Sequence, residues 1–443
     1  MLIRIKPSYI LLSILILLAV LSLAPAVNAA TITVPTQYST IQAAINAANP
    51  GDTISVNSGV YNENVIVNKT IILIGNGMPT INANRGEGIN ITANGTTVQG
   101  FNVTNSSYGI VICSSGNTLT KNTANNSWDE GISITNSNFN NFTGNTANNN
   151  DGDGIGLSNS NYNNFTGNTA NNNIATGIIL ARQNSNNNFT GNTANNNGAT
   201  GIEIDYSSNN NTFTRNTAND NSAGIGLDES SYNTLTENTA NKDDTGIQLD
   251  NSNNNNLTGN TANNNKYNGI YLESNNNNNL AGNTANNNLN GILLSYSGNN
   301  NLTGNTVNSN DDTGIYLYSS NNNVMWLNML QNNHNSNAYS DTSPNSWNSS
   351  IMMSYMYNGA KYFNYTGNYW GDYSDASVDG IGLTPYNINA SNDVDYYPMA
   401  NSSSSVVTPT ATPIPTNTPT PSVSTLIALS IIGIVGYCIG NKK

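Results

Sequence analysis

A motif of 22 to 24 residues, repeated ten times between Gly109 and Asn328, limits the folds open to this chain. Each copy begins Gly-Ile-x-(Ile/Leu), and its second half, NNFTGNTANNN in the fullest form, keeps the same spacing. The ten motifs begin at Gly109, Gly131, Gly154, Gly177, Gly201, Gly224, Gly246, Gly269, Gly291 and Gly314. A fixed period of this length is typical of a solenoid, in which each repeat forms one coil.

The residues within one repeat indicate which kind of solenoid this is. Apolar residues alternate over short runs, such as Ile202 and Ile204, which is the period of a β-strand, and no run is long enough for a helix. Asn and Gly separate the runs, and both tolerate the left-handed backbone of sharp corners. We therefore predict an all-β fold, a parallel β-helix with three short strands and three corners per coil. With coils about 4.8 Å apart, ten of them form a rod of roughly 50 Å.

One asparagine recurs at the same place in the second half of every repeat. When coils stack, its amide can donate to one copy and accept from the next, as in the Asn ladders of cross-β structures. The positions are Asn122, Asn145, Asn168, Asn192, Asn216, Asn238, Asn260, Asn283, Asn305 and Asn328. We interpret these residues as scaffold.

The overall composition argues against several classes of protein. Only 8% of residues are charged, the net charge is −13 and the pI is about 4.2, which disfavours nucleic acid as a partner. The two cysteines, Cys113 and Cys438, lie far apart in the chain and predict neither a disulfide framework nor a thiolate metal site.

Both ends of the chain carry signals of export and anchoring. Residues 1–29 have the basic start, apolar run and small-residue end of a signal peptide, although an uncleaved anchor is an alternative. Residues 402–422 form a Pro/Thr stalk suited to O-glycosylation. Residues 423–440 are apolar enough for a transmembrane helix, although a processed sorting signal is an alternative, and residues 441–443 form a short cytoplasmic tail. We expect the protein on the extracellular face of the cell membrane.

Residues 30–108 precede the regular repeat and are expected to form an N-terminal cap and the first irregular coils. The segment Ser39-Thr40-Ile41-Gln42 fits a capping box, and Ile41, Ala44, Ile45 and Ala48 have helical spacing. A solenoid must cover its first exposed edge, and a short amphipathic helix there would do so.

Two segments resemble known families. The run YSTIQAAINAANPGDTISVNSGVYNENVIVNKTIILIGNG resembles the opening coils of the pectate-lyase and pectin-methylesterase superfamily of right-handed β-helices. Within residues 329–401, the segments Asn368–Ile388 and Asp393–Met399 are similar to the C-terminal motif of NosD-type β-helix proteins. That family is often labelled periplasmic copper-binding, and many archaeal surface proteins resemble it. The resemblance implies a right-handed β-helix closed by a C-terminal cap.

The residues of this chain do not support the metal sites that the resemblance suggests. Copper requires imidazole or sulfur ligands, and the sequence has one histidine, His334, with no Met or Cys cluster in a repeat, so we predict no copper site. Val378 and Leu383 interrupt the acidic pattern that the family motif carries near Asp379. We expect Tyr369, Trp370 and Tyr373 to close the apolar end of the solenoid.

Four consecutive repeats carry an acid four residues after the motif glycine, namely Asp205, Asp228, Asp250 and Glu273. If the strand is regular, Ile202 and Ile204 point inward, and the four carboxylates form a column about 5 Å apart on the outer face. Glu203, Gln248 and Tyr271 lie beside it. We name these four acids the acidic column.

The acidic column admits three interpretations. Adjacent like charges repel, so the simplest one is a solvated acidic face with raised pKa values. A second is a site for Ca²⁺ or sugar, because Ca²⁺ takes several carboxylate oxygens. A third is catalysis by paired carboxylates, as a polysaccharide lyase, glycoside hydrolase or epimerase. Lyase chemistry also needs a base, and Arg182, Arg215, Lys242 and Lys266 are scattered in coil position.

Sequons are dense and arise largely from the repeat itself. The glycosylation candidates within it are Asn141, Asn164, Asn188, Asn256 and Asn301. The neighbouring threonines form a further column, which raises ice binding as a minor alternative, although a paired Thr-x-Thr lattice does not run through the coils. We favour a non-catalytic protein that binds envelope or extracellular polysaccharide, or serves in adhesion or a surface layer, and the enzyme is the alternative.

Overall fold

Nearly every coil of the chain contributes one strand to each of two long parallel sheets. The computed structural model describes residues 29–341, 344–375 and 379–400. They form a parallel β-solenoid of about 13 turns with one short helix, which confirms the predicted fold class. Equivalent residues of neighbouring coils pair directly, for example Phe142 with Phe165 and Ile155 with Ile178.

Sheet 1 has 14 strands and runs the length of the rod. In spatial order its strands are β1 (Thr31–Val34), β2 (Thr53–Val56), β5 (Ile72–Gly75), β8 (Thr97–Gln99), β11 (Thr118–Thr120), β14 (Asn141–Thr143), β16 (Asn164–Thr166), β18 (Asn188–Thr190), β20 (Thr212–Thr214), β22 (Thr234–Thr236), β24 (Asn256–Thr258), β26 (Asn279–Ala281), β28 (Asn301–Thr303) and β31 (Val324–Trp326).

Sheet 2 has 13 strands and contains the Gly-Ile motifs. Its strands are β4 (Val65–Val67), β7 (Ile89–Ile91), β10 (Ile110–Ile112), β13 (Ile132–Thr135), β15 (Ile155–Ser158), β17 (Ile178–Ala181), β19 (Thr200–Ile204), β21 (Ala223–Asp228), β23 (Thr245–Asp250), β25 (Asn268–Glu273), β27 (Asn290–Ser295), β30 (Thr313–Tyr318) and β33 (Ser336–Ser340).

The third side of the coil contains fewer strands than predicted. In the described part of the chain it forms true strands only near the two ends of the rod: β3 (Val60–Tyr61), β6 (Thr80–Asn82), β9 (Asn102–Thr104) and β12 (Thr123–Ala124), then β29 (Thr306–Asn308), β32 (Met329–Gln331) and β36 (Tyr369–Trp370). In the coils between, one threonine per coil bridges to the next, from Thr123 through Thr146 to Thr306. The expectation of three strands in every coil was therefore wrong for the middle of the rod, where a strand shrinks to a single bridge.

Inward residues of the sheets stack on their own copies. The rings of Phe142, Phe165, Phe189 and Phe213 are parallel, with centroids 4.4, 4.5 and 4.8 Å apart, and all four side chains are buried. This spacing matches the distance between paired strands, so each coil offers the next the same apolar surface.

The predicted asparagine ladder is present and buried. From Asn145 onward, the Oδ1 of each rung accepts from the backbone N and the Nδ2 of the asparagine one coil earlier, as Asn168 does from Asn145 at 2.9 and 3.1 Å. The first rung, Asn122, accepts from the backbone N of Phe101 instead. Two further ladders run beside this one, and their rungs are buried except for the half-buried Asn333 at the C-terminal end. One precedes sheet 1, through Asn140 and Asn163. The other, here called the third ladder, precedes sheet 2 and has the rungs Asn150, Asn173, Asn197, Asn221, Asp243, Asn265, Asn288, Asn310 and Asn333.

A short helix, α1 (Ile41–Ala47), covers the N-terminal end as predicted. Ile41, Ala44 and Ile45 are fully buried. The capping differs from the expected box because the N-cap is Thr40, whose side chain accepts from the N–H of Ala43. The Glu63 carboxylate, from the next coil, accepts the N–H groups of Ile41 and Gln42 at 2.9 Å, so the start of the helix is satisfied by tertiary contacts.

The C-terminal cap closes the rod with aromatic residues. Trp370 is fully buried, and its ring stacks on Tyr386 with the centroids 4.0 Å apart, which confirms the predicted closure. The buried Asp395 carboxylate accepts the indole N–H of Trp370 at 2.9 Å and the N–H of Asn368 at 2.8 Å. Burial raises the pKa of Asp395 to about 6.

The cap also contains two antiparallel hairpins, β34 (Met353–Tyr357) with β35 (Ala360–Asn364), and β37 (Tyr386–Asn387) with β38 (Val394–Asp395).

No helix in residues 29–341, 344–375 and 379–400 is long and apolar enough to cross a membrane. The segments on which we base the signal peptide (to residue 28), the stalk and the transmembrane helix lie outside the described residues.

Candidate functional site

The outer face of sheet 2 brings the predicted acids into register. Asp228 pairs with Asp250, and Asp250 with Glu273, in adjacent strands. Asp205 follows the end of β19 directly. Ile202 and Ile204 are fully buried, as predicted from the alternation. The fold therefore builds the acidic column along the rod.

A second column of outward residues runs beside the acids. It contains Glu203, Gly226, Gln248 and Tyr271 in consecutive coils. The Tyr271 hydroxyl donates to the Glu273 Oε2 at 2.5 Å, so the two columns are linked at this coil. Towards the C-terminal end the face becomes aromatic, and the rings of Tyr316 and Tyr339 meet edge to face with centroids 5.0 Å apart.

Burial and mutual repulsion act together on the carboxylates. Burial raises the pKa of Asp250, and the charges of Asp228 and Glu273 raise it further. Burial also raises the pKa of Asp205, with Asp228 and Glu229 adding to the shift and the backbone N–H of Tyr206 opposing it. The Asp205 Oδ1 is buried without a hydrogen-bond partner in the described structure. The face is thus a strip of partly desolvated negative charge.

The acidic column is linear and does not form a ready metal centre. In the parts of the chain that the structure describes, no three His, Cys, Asp or Glu side chains converge in a way that could hold a metal ion. Binding of Ca²⁺ there stays a prediction, and it would require side chains to move together. His334 is exposed at the edge of the C-terminal cap.

Two of the four candidate basic residues, Arg215 and Lys266, form ion pairs with acids outside the acidic column. The Arg215 Nε lies 2.7 Å from the Glu237 Oε2, and the Lys266 Nζ lies 3.4 Å from the Asp244 Oδ1. Both pairs are largely solvent-exposed. The structure therefore does not bring these two cations to the acidic column.

A smaller acidic site on the same face was missed by the sequence analysis. Glu130 and Asp153 occupy the position before the motif glycine in adjacent coils, and with Ser133 and Gly156 they line a cavity of about 90 Å³. The Glu130 Oε2 is buried and without a hydrogen-bond partner in the described structure. Burial raises the pKa of Glu130 to about 7, with the Ser133 hydroxyl opposing the shift and the charge of Asp153 adding to it.

A glycine shapes this cavity. A side chain at Gly156 would come within 2.8 Å of the Glu130 carboxylate, so the absence of one leaves room for that group. Burial also raises the pKa of Asp153, against the N–H of Thr176, which lowers it. The sequence does contain a signal for this site. The residue before the first glycine of the coil is an acid at Glu87, Glu130 and Asp153, whereas most later coils carry Thr or Asn at that position.

The predicted glycosylation sites lie on the outer face of sheet 1. Asn141, Asn164 and Asn188 pair in register, and so do Asn256, Asn279 and Asn301. Their amides bond to one another: the Nδ2 of Asn164 donates to Asn141 at 3.0 Å, and that of Asn188 to Asn164 at 2.9 Å. Glycosylation stays a prediction, and the structure shows that these amides already take part in a surface ladder.

Comparison with known proteins places this arrangement in a structural class. Residues 201–375 match the family model described as "Periplasmic copper-binding protein (NosD)", and residues 87–240 match that described as "Right handed beta helix region". No curated protein sequence matches the chain.

Several solved structures are similar in fold. The catalytic domain of GH87 α-1,3-glucanase has 17% identity and a TM-score of 0.50, with 72% of this chain and 69% of that chain covered. The A-module of the mannuronan C-5 epimerase AlgE4 from Azotobacter vinelandii has 16% identity and a TM-score of 0.46, with 69% and 94% covered. Pectate lyase Pel9A has 15% identity and a TM-score of 0.37, with 60% and 78% covered. At these identities the likeness shows the fold alone.

Proposed function

We propose that this chain, in which residues 201–375 match the NosD model and residues 87–240 match the right-handed β-helix model, binds a polysaccharide along the outer face of sheet 2. The observation that carries the proposal is the acidic column, held in register beside Tyr271 and the tyrosines of the following coils. A flat strip several coils long suits an extended chain, which can lie along the rod and contact one coil after another. One solved structure of similar fold is an α-1,3-glucanase, and a sugar polymer is accordingly the ligand class that we propose for this face.

The charge of the face selects among polysaccharides. Asp205, Asp228, Asp250 and Glu273 would repel a uronate polymer, whereas a neutral or amino-bearing chain would not be repelled. Tyrosine rings offer flat apolar surfaces to sugar rings, and their faces attract cations. We therefore propose a neutral or amino-sugar polymer as the ligand.

Copper does not fit the donors that this chain provides. The family description names copper, but the sequence has a single histidine, and no group of three His, Cys, Asp or Glu converges within the described ranges. Copper sites use imidazole and sulfur ligands, so the proposal assigns no role to the metal.

We also propose that the rod stands on the extracellular face of the membrane. This proposal depends on the predicted signal peptide, stalk and transmembrane helix. Display on a stalk would hold the binding face clear of the membrane, where an envelope or extracellular polysaccharide is accessible, in an adhesive or surface-layer role.

Glycan-array binding of the full-length protein in detergent tests the main proposal. We expect binding to neutral or amino-sugar polymers, with little binding to uronates, and at least a tenfold weaker signal for the double variant Asp228→Asn/Asp250→Asn. Asp311→Asn, an exposed acid outside the acidic column, is the matched control and should bind like the parent. Addition of CaCl₂ or EDTA shows whether Ca²⁺ contributes. Equal binding by parent and double variant would leave the acidic column a solvated face.

A second candidate function is a polysaccharide hydrolase or epimerase, and the Glu130 cavity favours it. A carboxyl group with a pKa of about 7, beside a second carboxyl, can donate a proton at neutral pH. If the protein is an enzyme, turnover of the polymer found on the array should fall at least a hundredfold in Glu130→Gln. Turnover that is absent in the parent, or unchanged in Glu130→Gln, would remove this candidate without affecting the binding proposal.

A further inference from the structure

One rung of the third ladder is an acid instead of an amide. Asp243 stands where the neighbouring coils carry Asn221 and Asn265. Its Oδ1 fills the role of an amide oxygen, because it accepts the backbone N of Asn221 at 2.7 Å and the Nδ2 of Asn221 at 3.2 Å. The backbone N of Asp243 in turn donates to the Asn265 Oδ1 at 2.9 Å.

The second oxygen of Asp243 occupies the place of an amide nitrogen. A Cβ built on the motif glycine of each coil would lie 2.7 Å from the Nδ2 of Asn221, 2.6 Å from that of Asn265 and 2.5 Å from the Oδ2 of Asp243. The three atoms therefore sit at the same point of successive coils. The side chain of Asp243 is only 2% exposed, so water does not replace the missing contacts.

The surroundings of that point accept hydrogen bonds instead of donating them. In the coils on either side, the Nδ2 donates to an alanine carbonyl, from Asn221 to Ala194 at 3.2 Å and from Asn265 to Ala240 at 3.3 Å. By the repeat, the Oδ2 of Asp243 is directed towards the equivalent carbonyl of Ala218 and the Oδ1 of Asn265. The Oδ2 has no hydrogen-bond partner in the described structure, as expected for an oxygen without a proton among acceptors.

Among the described residues, no cation forms an ion pair with the Asp243 carboxylate. Burial raises the pKa of Asp243 to about 8, the hydrogen bonds from Asn221 oppose the shift, and the charges of Asp220 and Asp244 add to it. Lys266 contacts Asp243 only through its backbone N–H, at 2.9 Å, and its Nζ pairs with Asp244. Lys242, the preceding residue, is exposed at the corner with a φ of 59°.

We propose that Asp243 makes the stability of the surrounding coils depend on pH. Its carboxyl group holds a proton in the folded ladder and loses that proton at mildly alkaline pH, and the loss of the proton loosens the coils on either side. The proton on Oδ2 restores the donor that an asparagine would supply. Asp243 lies two residues before β23, which ends in Asp250 of the acidic column, so loosening here reaches the candidate site. The inference rests on the ladder and does not depend on the proposed function.

The direction of the pH effect follows from the two pKa values. The folded pKa of about 8 lies above 3.8, the ordinary pKa of an aspartate side chain in an open chain. The contribution of Asp243 to stability is therefore fully present below pH 4, falls as the pH rises and reaches its minimum near pH 8. The equilibrium constant for opening this part of the rod should increase by up to about tenfold per pH unit over that interval and then level off.

Hydrogen exchange of the full-length protein, followed by mass spectrometry from pH 5 to 9 and corrected for intrinsic exchange, tests the proposal. We expect peptides spanning residues 217–250 to show rising opening constants in the parent, and a rise at least tenfold smaller from pH 5 to 8 in Asp243→Asn. Asp244→Asn removes an exposed neighbouring acid and should retain most of the parental rise.

A second variant, Asn197→Asp, tests the same ladder without relying on the folding of Asp243→Asn. Asn197→Asp places an acid at another buried rung of the same ladder and should create a second pH-dependent region around residues 170–204. A parental rise that persists unchanged in Asp243→Asn, or an Asn197→Asp variant with the same pH profile as the parent, would overturn the proposal.

Discussion

The outer faces of sheet 1 and sheet 2 belong to the same coils but differ in how their residues change along the rod. On sheet 1, the two outward positions of each strand from β11 to β28 are Asn or Thr, with Ala281 the one exception. On sheet 2, one outward column reads Val111, Ser133, Gly156, Ile179, Glu203, Gly226, Gln248, Tyr271, Leu293, Tyr316 and Tyr339.

This difference between the two faces helps to distinguish residues that stack on their own copies from residues that have another role. A side chain that repeats in every coil, such as Asn164 on Asn141, finds its partner in its own copy. A side chain that changes from coil to coil cannot be explained by stacking on copies. The outer face of sheet 2 is therefore the one on which residues differ in charge, size and polarity from coil to coil, whereas sheet 1 repeats the same residues on both of its faces.

The largest expected effect lies inside sheet 1. Phe189→Ala breaks the stack between Phe165 and Phe213 in a fully buried position, and such truncations cost about 3–5 kcal/mol. Urea unfolding followed by circular dichroism measures the loss. A loss below about 1 kcal/mol would mean that neighbouring coils close the gap and that the interior tolerates irregular repeats.

The second effect concerns Glu130 on sheet 2. Its folded pKa of about 7 lies above 4.5, the ordinary pKa of a glutamate side chain, so its ionisation opposes folding increasingly between those pH values. Because the side chain is partly exposed, we expect Glu130→Gln to stabilise the protein by about 1–3 kcal/mol at pH 8 and to have no effect at pH 4. Thermal unfolding at both pH values checks this, with Glu87→Gln, the acid at the same position of an earlier coil, as control.

The acidic column should show a smaller effect of the same sign. Asp250 has a raised pKa, in part because the charges of Asp228 and Glu273 repel its carboxylate. This repulsion destabilises the folded protein once the pH exceeds the pKa of a free carboxyl group, and the double variant Asp228→Asn/Asp250→Asn relieves it. We expect a gain in stability of at most about 1 kcal/mol at pH 7, because these groups are partly solvated, and none at pH 3. A double variant that is more stable yet binds less polymer would identify a face kept for function. Lower stability at pH 7 would indicate that the column helps to hold the coils together.

The smallest effect is expected on the outer face of sheet 1. Thr190→Ala removes a hydroxyl from the threonine column next to Phe189, and surface changes of this kind stay within about 0.5 kcal/mol. The same urea denaturation experiment measures the loss in free energy of unfolding. Comparison of this loss with that of Phe189→Ala contrasts the outer and inner sides of one strand. Thermal hysteresis in the parent that is lost in Thr190→Ala would instead give the threonine column a role with ice.

The repeat allowed most of the scaffold to be predicted. A period of 22 to 24 residues with alternating apolar positions specified stacked coils, the inward Ile202 and Ile204, and the ladder through Asn168. These features depend on contacts between copies, so one coil predicts the next. The two additional buried ladders follow the same logic and could have been found by applying it to every recurring asparagine.

The parts that the sequence did not predict depend on neighbours that are not copies. The raised pKa of Glu130 arises from burial beside Ser133, Asp153 and the empty space at Gly156, all in one small cavity. Likewise, the helix α1 uses Glu63 as a cap, a residue some twenty positions away in the sequence. Solvation and tertiary capping are properties of the assembled surface, and a pattern in one strand does not reveal them.

The identical register between coils also has a consequence for how such a rod changes length. Removal of residues 169–192 would bring Asn168 opposite Asn216 and Phe165 opposite Phe213. These residues are of the same type as their present partners, Asn192 and Phe189, so the contacts between coils would be of the same kind. Both caps would be untouched. A gene that gains or loses one whole repeat by recombination would thus encode a rod that still closes at both ends, so length can vary between descendants while the fold stays constant.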